Sequence, residues 1–470
     1  MGCGRRNAER LGMSQEIRAN YDQIDLLPQC LEDWVPVDHP ARFIREFVDA
    51  LNMGELGFQR RESDEGRPNY AADLLLKVWL YGYLARLRST RELERACREH
   101  LSLVWLTGRH APDHNTLWRF WKENRAALQQ VFRAGVKVAA ASGLVGLVCH
   151  AVEGTKIRVA SSRGRVEASI RAMEQAVEEA EAREEGEYRL PEGLQEAQRL
   201  RAAIRASLAR RQEVKRDHLH PREPEARMML CADGKEIAYN AQVAVDGASE
   251  LIVAKDVVNE ESDNRRLVPM LDEVKENLGE VAEATVADGG YKSSVALGEA
   301  GEKGYAVLVK WGGDASGKRP GPYHKSQFRH QAEQDVVICP RGERLEFEAV
   351  KTNRWKRFAV RGYRCRSFRQ CPVRAECSRN RQGRLIKISP YDAAVAKQRA
   401  HQHDPQKQKL LKQRKVIVEP IFGVIKQDWG FRRWTVRGLE NVRTQWAMLC
   451  AAFNLRRMHR AWAAGKLALA

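Results

Sequence analysis

No apolar stretch in this 470-residue chain approaches the roughly 18 residues that a membrane-spanning helix requires, and the basic segment from Met1 to Met13 lacks the hydrophobic centre of a secretion signal. Both absences argue for a cytoplasmic chain with no membrane partner. Gly2 would suit amino-terminal acylation, but Arg6 stands where that pattern needs Ser or Thr. A disulfide framework is also excluded. Ten cysteines are scattered without secretory context, so free buried thiols and one metal cluster in a reducing compartment are the expectation. Acids are in deficit: 62 Asp and Glu against 80 Lys and Arg give a net charge of +18 and a pI near 9.6. That surplus favours a polyanionic partner, nucleic acid first, although charge alone speaks to association and not to fold. What the chain does have is length and 43% hydrophobic residues, enough for a sizeable core divided among two or three domains.

From Arg42 to Ser142 the pattern is helical, as in Ala71 to Leu87, where Leu74, Leu75, Val78, Trp79 and Leu84 build a broad apolar face. In Ala111 to Lys122, Asp113 is placed to cap a helix that carries Arg119 and Lys122 beside Trp118 and Trp121. A DNA-reading helix-turn-helix has this form, and so does a capped core helix whose two tryptophans are packing. Beyond Gly143 the periodicity changes. Gly143 to Ile157, Glu236 to Val245 and Leu251 to Val258 are strand-like, and Tyr239, Ala241, Val243 and Val245 keep a period of two. A helix follows from about Asp263 to Leu278, then a strand from Ala284 to Ala287, then another from Tyr305 to Trp311. Three strands, a helix, a strand, a helix and a strand are the order of an RNase H-like mixed α/β sheet covered by helices. Two insertions interrupt it. Residues 163–217 read as an antiparallel helical hairpin, with Ile170, Met173, Val177 and Ala180 facing Leu194, Leu200, Ile204 and Leu208. Residues 312–405 are basic, hold four of the ten cysteines and show little apolar periodicity. The predicted domains are therefore 1–142 (helical), 143–162 with 218–311 (the mixed-sheet core), the insertions 163–217 and 312–405, and 406–470 (a helix from Glu419 and the carboxy-terminal helices).

Three acids stand out. Glu153 ends the apolar run from Gly143 to Val152, Asp288 ends the strand Ala284 to Ala287, and Glu419 opens Glu-Pro-Ile-Phe-Gly-Val-Ile-Lys, where Pro420 suggests a helix starting or kinking. Lys426 follows Glu419 by nearly two helical turns, so the pair share a face. Phosphodiester chemistry uses such a set: carboxylates hold two divalent ions about 4 Å apart, and a lysine reaches a phosphate. Each acid also has an ordinary reading, as an incidental acid at a strand end, a turn former before Gly289-Gly290, and an acid favoured by a helix start. Asp246 and Asp256 lie at nearby strand ends as further candidates. Lys156 and Arg158 beyond Glu153, with Arg432, Arg433 and Arg437 around Trp434, suit a phosphate track; Trp434 would stack on an unpaired base or belong to the core.

With these motifs in order, the chain resembles the DDE transposases of bacterial insertion sequences, in the branch with an amino-terminal helical domain. The resemblance rests on Tyr21 to Pro40, Pro112-Asp113-His114-Asn115-Thr116, Gly154-Thr155-Lys156, Tyr239-Asn240-Ala241-Gln242, Ala287-Asp288-Gly289-Gly290-Tyr291, Val418-Glu419-Pro420-Ile421-Phe422-Gly423 and Gly430-Phe431-Arg432-Arg433. It implies a DNA transposase that binds the element's ends and catalyses metal-dependent strand cleavage and transfer. Glu153, Asp288 and Glu419 would be the catalytic acids, holding magnesium, with manganese as a substitute. Lys156, Arg158, Arg119, Lys122, Lys426, Arg432 and Arg433 would meet DNA. The partners implied are double-stranded terminal repeats and target DNA, bound by a homodimer at the bacterial nucleoid. One position departs: the family places aspartate where this chain has Glu153. Displacing a carboxylate by about 1 Å can cost roughly 100-fold in rate, so the alternative is a catalytically impaired, transposase-derived DNA-binding protein. The family pattern Cys-x2-Cys-Pro-x4-Cys is also altered. Phe368 replaces the first cysteine and Cys365 lies three residues earlier, so a structural zinc on Cys339, Cys365, Cys371 and Cys377 competes with free thiols.

Overall fold

The computed structural model describes residues 30–59, 69–160, 202, 220, 223–310, 321–353 and 358–469. The seam residues of the expected 163–217 hairpin, the chain before Cys30 and Trp311 lie outside the described residues. Six helices form the amino-terminal layer: α1 (Pro40–Asp49), α2 (Ala72–Leu84), α3 (Thr90–Glu99), α4 (Leu101–Leu106), α5 (His114–Glu123) and α6 (Arg125–Ala141). Their starts are written locally. Ser89 and Glu92 make a reciprocal capping box at α3, and Asp113 accepts from the Thr116 amide at 2.8 Å to begin α5. Helix α2 is buried on every side from Leu75 to Tyr83 and so is the centre of this layer, where the sequence suggested a one-sided face.

The main sheet has β1 (Cys149–Arg158) at its centre. On one side β1 pairs antiparallel with β3 (Gly234–Asp246); the far edge of β3 carries β2 (Arg227–Cys231) and β4 (Ile252–Val258). On the other side β1 runs parallel to β5 (Ala284–Ala287), which runs parallel to β6 (Val307–Val309). This is the expected mixed sheet, with two differences. The first strand begins six residues later than its apolar run, because Gly143 and Leu147 both adopt positive φ and turn the chain into the sheet. Strand β2, short and ending at Cys231 beside the turn to β3, carried too little periodicity to be anticipated.

Helix α7 (Leu267–Leu278) covers β3 and β4, and α8 (Ser294–Glu302) links β5 to β6. Residues 321–388 then form a separate antiparallel meander in the order β11-β10-β9-β8-β7, from β7 (Arg329–Gln331), β8 (Val336–Ile338), β9 (Arg344–Asn353) and β10 (Phe358–Cys365) to β11 (Leu385–Ile388). Among the described residues its buried core is Phe328, Val337, Leu345, Tyr363 and Ile386, small enough to explain the weak apolar signal. Helix α9 (Asp392–His401) returns to the main sheet, where Gln398 bonds the Val309 amide at 3.2 Å and the Val307 carbonyl at 2.6 Å. Helix α10 (Pro405–Gly423) crosses β1 and β5, and α11 (Leu439–Ala463) packs between β4, α6 and α2. Asn454 of α11 bonds both the amide and carbonyl of Ile252, at 2.9 and 2.7 Å, so the outer edge of β4 is closed to further pairing. Among the described residues no helix is long and apolar enough to cross a membrane.

Trp434, for which base stacking was one expectation, is a core residue: 1% exposed, edge-on to Phe431 and Trp446, with its indole donating to the Ile157 carbonyl at 3.1 Å. Trp434→Ala should destabilise the sheet by about 3–5 kcal/mol, read as a drop in denaturant midpoint. A buried polar group gives a second expectation. His150 on β1 is fully buried 3.8 Å from Asp246, and burial outweighs that carboxylate, lowering its pKa to about 4. The unfolded chain, with an ordinary histidine near 6.5, binds the extra proton between these values, so stability rises with pH across that window and is lost on acidification. Unfolding free energies from urea titrations at pH 7 and pH 5 should differ by about 2 kcal/mol more in the wild type than in His150→Gln.

Candidate active site

The parallel register of β1 and β5 sets Val152 opposite Ala287. The next residues on the two strands are Glu153 and Asp288, so the first two acids are neighbours. Asp288 leaves its strand at once and starts the turn Gly289–Tyr291, its side chain accepting from the Gly290 amide. That bond engages one carboxylate oxygen. The turn-forming role and a ligand role are therefore compatible at Asp288.

Helix α10 lays Ile417, Val418 and Ile421 on the sheet. It starts at Pro405, with Asp404 accepting from the Gln406 and Lys407 amides, and runs through Pro420. The sequence-based start at Glu419 is thus corrected. Proline was a marker of an interior position here, and Glu419 lies near the carboxy-terminal end, where the helix dipole disfavours an acid. Helix stability does not account for it. Glu419 is 63% exposed and 4.0 Å from Lys415. One turn earlier, Arg414 forms a close ion pair with Glu153, the two side chains being 15% and 20% exposed. Burial lowers the pKa of the Arg414 guanidinium, and the charge of Glu419 opposes that shift, so Arg414 stands in the field of both acids.

The basic residues divide. Lys426 lies in a π-turn, Val424–Asp428, whose wider winding breaks the helical phase on which a face shared with Glu419 depended. Its ammonium donates to the Thr155 hydroxyl and, at 3.5 Å, to the Lys156 carbonyl. Burial lowers its pKa, with Cys231 the first opposing influence. Lys426 therefore braces β1. Lys156 is likewise engaged, by Asp263 at 3.1 Å, and Arg158 by Asp233 at 2.8 Å. Arg433 is half-buried where its segment bridges to Arg158. Arg432 is exposed, as are Arg119 and Lys122 on α5. That helix resolves its two readings residue by residue: Trp121 is core, whereas Trp118 is 42% exposed beside Arg119.

Asp246 and Asp256 do not join the site. Asp246 is buried and bonds the Gly146 and Ser249 amides; Asp256 bonds the next amide of its own strand and faces Arg443. The acid that sequence reading passed over is Asp263, beside Gly154 and Gly290. Its signal was faint: Asn240 and Gln242, polar positions in an otherwise apolar strand, both buried and both bonded to it. The four cysteines 339, 365, 371 and 377 come within one another's electrostatic reach, which together with burial raises the Cys365 and Cys377 thiols; burial is the larger cause. Among the described residues, however, no three Cys, His, Asp or Glu side chains stand close enough to share a metal ion, either there or at Glu153, Asp288 and Glu419. The carboxylate donors fit a hard cation in kind, while Arg414 occupies the space beside Glu153.

Two family models match, a transposase domain (DUF772) over residues 29–123 and a transposase DDE domain over residues 338–459. Both matches are to transposase domains, and together they support an insertion-sequence DDE transposase. The first match covers α1 to α5, and the second covers the meander from β9 to β11, α9, α10 with Glu419, and most of α11. Glu153 and Asp288 lie outside both, so their roles rest on position in the sheet. No curated protein matches the chain at a level that carries argument.

The Glu153–Arg414 pair is the interaction most specific to this site. A double-mutant cycle with Glu153→Gln and Arg414→Gln, read by thermal or denaturant unfolding, should give a coupling of about 1–3 kcal/mol. A coupling near zero would mean that the two side chains act independently.

Proposed function

We propose that this transposase binds the ends of its element, cleaves a DNA strand and joins the freed 3′ hydroxyl to target DNA, using Glu153, Asp288 and Glu419 as its acids. The observation that carries the reading is the β1–β5 register with α10 laid across it, which gathers the three acid-bearing elements at one end of the parallel strands. Asp288 contributes the carboxylate oxygen that its turn leaves unused. Glu153 joins it once Arg414 swings away, and Arg414 then becomes a cation beside a bound phosphate. Glu419 is delivered by α10 from the solvent side. When bound, a pair of divalent ions, magnesium or manganese, would supply charge neutralisation at the attacking and leaving oxygens. Arg119 and Lys122 on the exposed face of α5, with Arg432 near the core, are the proposed DNA contacts, and Trp118 adds an aromatic surface to the first group. Two ends must be handled together, so a homodimer is the proposed working form.

A second reading has its own observation. Glu153 is both longer than the family's aspartate and already held by Arg414, which suits a scaffold that binds DNA without cutting it. Oligonucleotides carrying the element's ends, incubated with magnesium or manganese, decide between them. The active reading expects cleavage by wild type, reduced roughly 100- to 1000-fold in Asp288→Ala. Cleavage gained only in Glu153→Asp would instead identify a disabled scaffold, and tight binding without cleavage by any variant would favour a transposase-derived DNA-binding protein that does not cut.

For the meander, we propose that Cys339, Cys365, Cys371 and Cys377 are free thiols: among the described residues no three of them stand close enough to share an ion, and burial raises Cys365 and Cys377. Metal analysis of the purified chain should find no zinc; one zinc per chain, lost in Cys371→Ser, would refute it.

A further inference from the structure

Asp263 is held by side chains from two strands. Its Oδ1 accepts from Asn240 at 2.6 Å and from Gln242 at 2.7 Å, and its Oδ2 accepts from Lys156 at 3.1 Å. Asn240 and Gln242 are fully buried, and they face Lys156 and Gly154 across the β1–β3 register. The carboxylate can only accept. It therefore fixes which way the Gln242 amide points, with the NH2 group toward Asp263 and the carbonyl oxygen away from it. That carbonyl oxygen accepts the hydroxyl of Tyr291, which is buried and ends the turn begun by Asp288. Burial, then the charges of Asp263 and Asp288, push the Tyr291 phenol well above its ordinary pKa, so it remains a donor at neutral pH.

Two glycines make room for this chain of contacts. A Cβ on Gly154 would lie 2.4 Å from the Gln242 amide nitrogen and 2.9 Å from Asp263 Oδ1. A Cβ on Gly290 would lie 2.8 Å from Asp288 Oδ1 and 3.2 Å from Asp263 Oδ2, so one small space separates the two aspartates. A side chain at either position would part Asp263 from the elements it joins.

We propose that Asp263 is a positioning residue for Asp288, acting by orienting the Gln242 amide, which holds Tyr291 and thereby fixes the turn that carries Asp288. The cation part of the test below rests on the reading of Asp288 as a ligand; the structural part does not. In the full chain, amide exchange across residues 288–292 should quicken about tenfold in Asp263→Asn and equally in Tyr291→Phe, while exchange in α11 stays as in wild type. The double variant should be no worse than either single one, because both break one linkage. Manganese affinity, titrated without DNA, should fall about tenfold in each variant, the scale seen when a ligand loses its orienting partner. Unchanged exchange at the turn in both variants, or additive effects in the double variant, would overturn the proposal. If Asp288→Ala leaves manganese affinity unaltered, the ligand reading of Asp288 fails, while the exchange data still decide the role of Asp263.

Discussion

The parallel pairing of β1 with β5 is the constraint on which the rest depends. Ala151 and Val152 on one strand and Val286 and Ala287 on the other are fully buried, so the register has little freedom. A slip of one residue would swap the face on which each apolar side chain packs and send the acids to opposite faces. Everything else at the site is attached to this pair of strands. Helix α10 brings Glu419 across them, Trp434 donates to the carbonyl of Ile157, and Lys426 braces Thr155.

Charge is balanced locally in this basic protein. Glu153 meets Arg414, Asp263 meets Lys156, and Glu419 has Lys415 nearby. The first two pairs are largely sheltered from water, where losing one partner leaves an uncompensated ion and costs more than the pair contributes. Opening the Glu153–Arg414 pair is therefore favourable only when another cation reaches Glu153 and an anion reaches Arg414. Under the proposed function, a divalent ion and a DNA phosphate arriving together would meet both needs, linking loading of the site to the presence of DNA.

The order of β1 and β3 to β6, and the placing of Glu153 and Asp288 on or just beyond strands, were legible because these segments are apolar with a clear period; at Glu419 a helix was legible but not its start. The helix cap at Asp113 was legible for the same local reason. What escaped was set by contacts distant in sequence. Asp263 acts through Asn240 and Gln242, and Arg414 acts through Glu153; no spacing along the chain announces either link. The meander escaped because a five-residue core leaves most strand positions half-exposed, and the π-turn at Val424–Asp428 displaced Lys426 from the face that regular helical spacing assigned to it. Trp434 illustrates the reverse case, an aromatic among arginines that packing claims for the core.

The central claim is that Glu153 and Asp288 form one cation site that Arg414 guards. Anomalous diffraction from crystals grown with manganese and a DNA end tests it directly. The expected result is manganese density bonded to carboxylate oxygens of both Glu153 and Asp288, with the Arg414 guanidinium moved onto a phosphate. Manganese on Asp288 without Glu153, with Arg414 still paired to Glu153, would contradict the account.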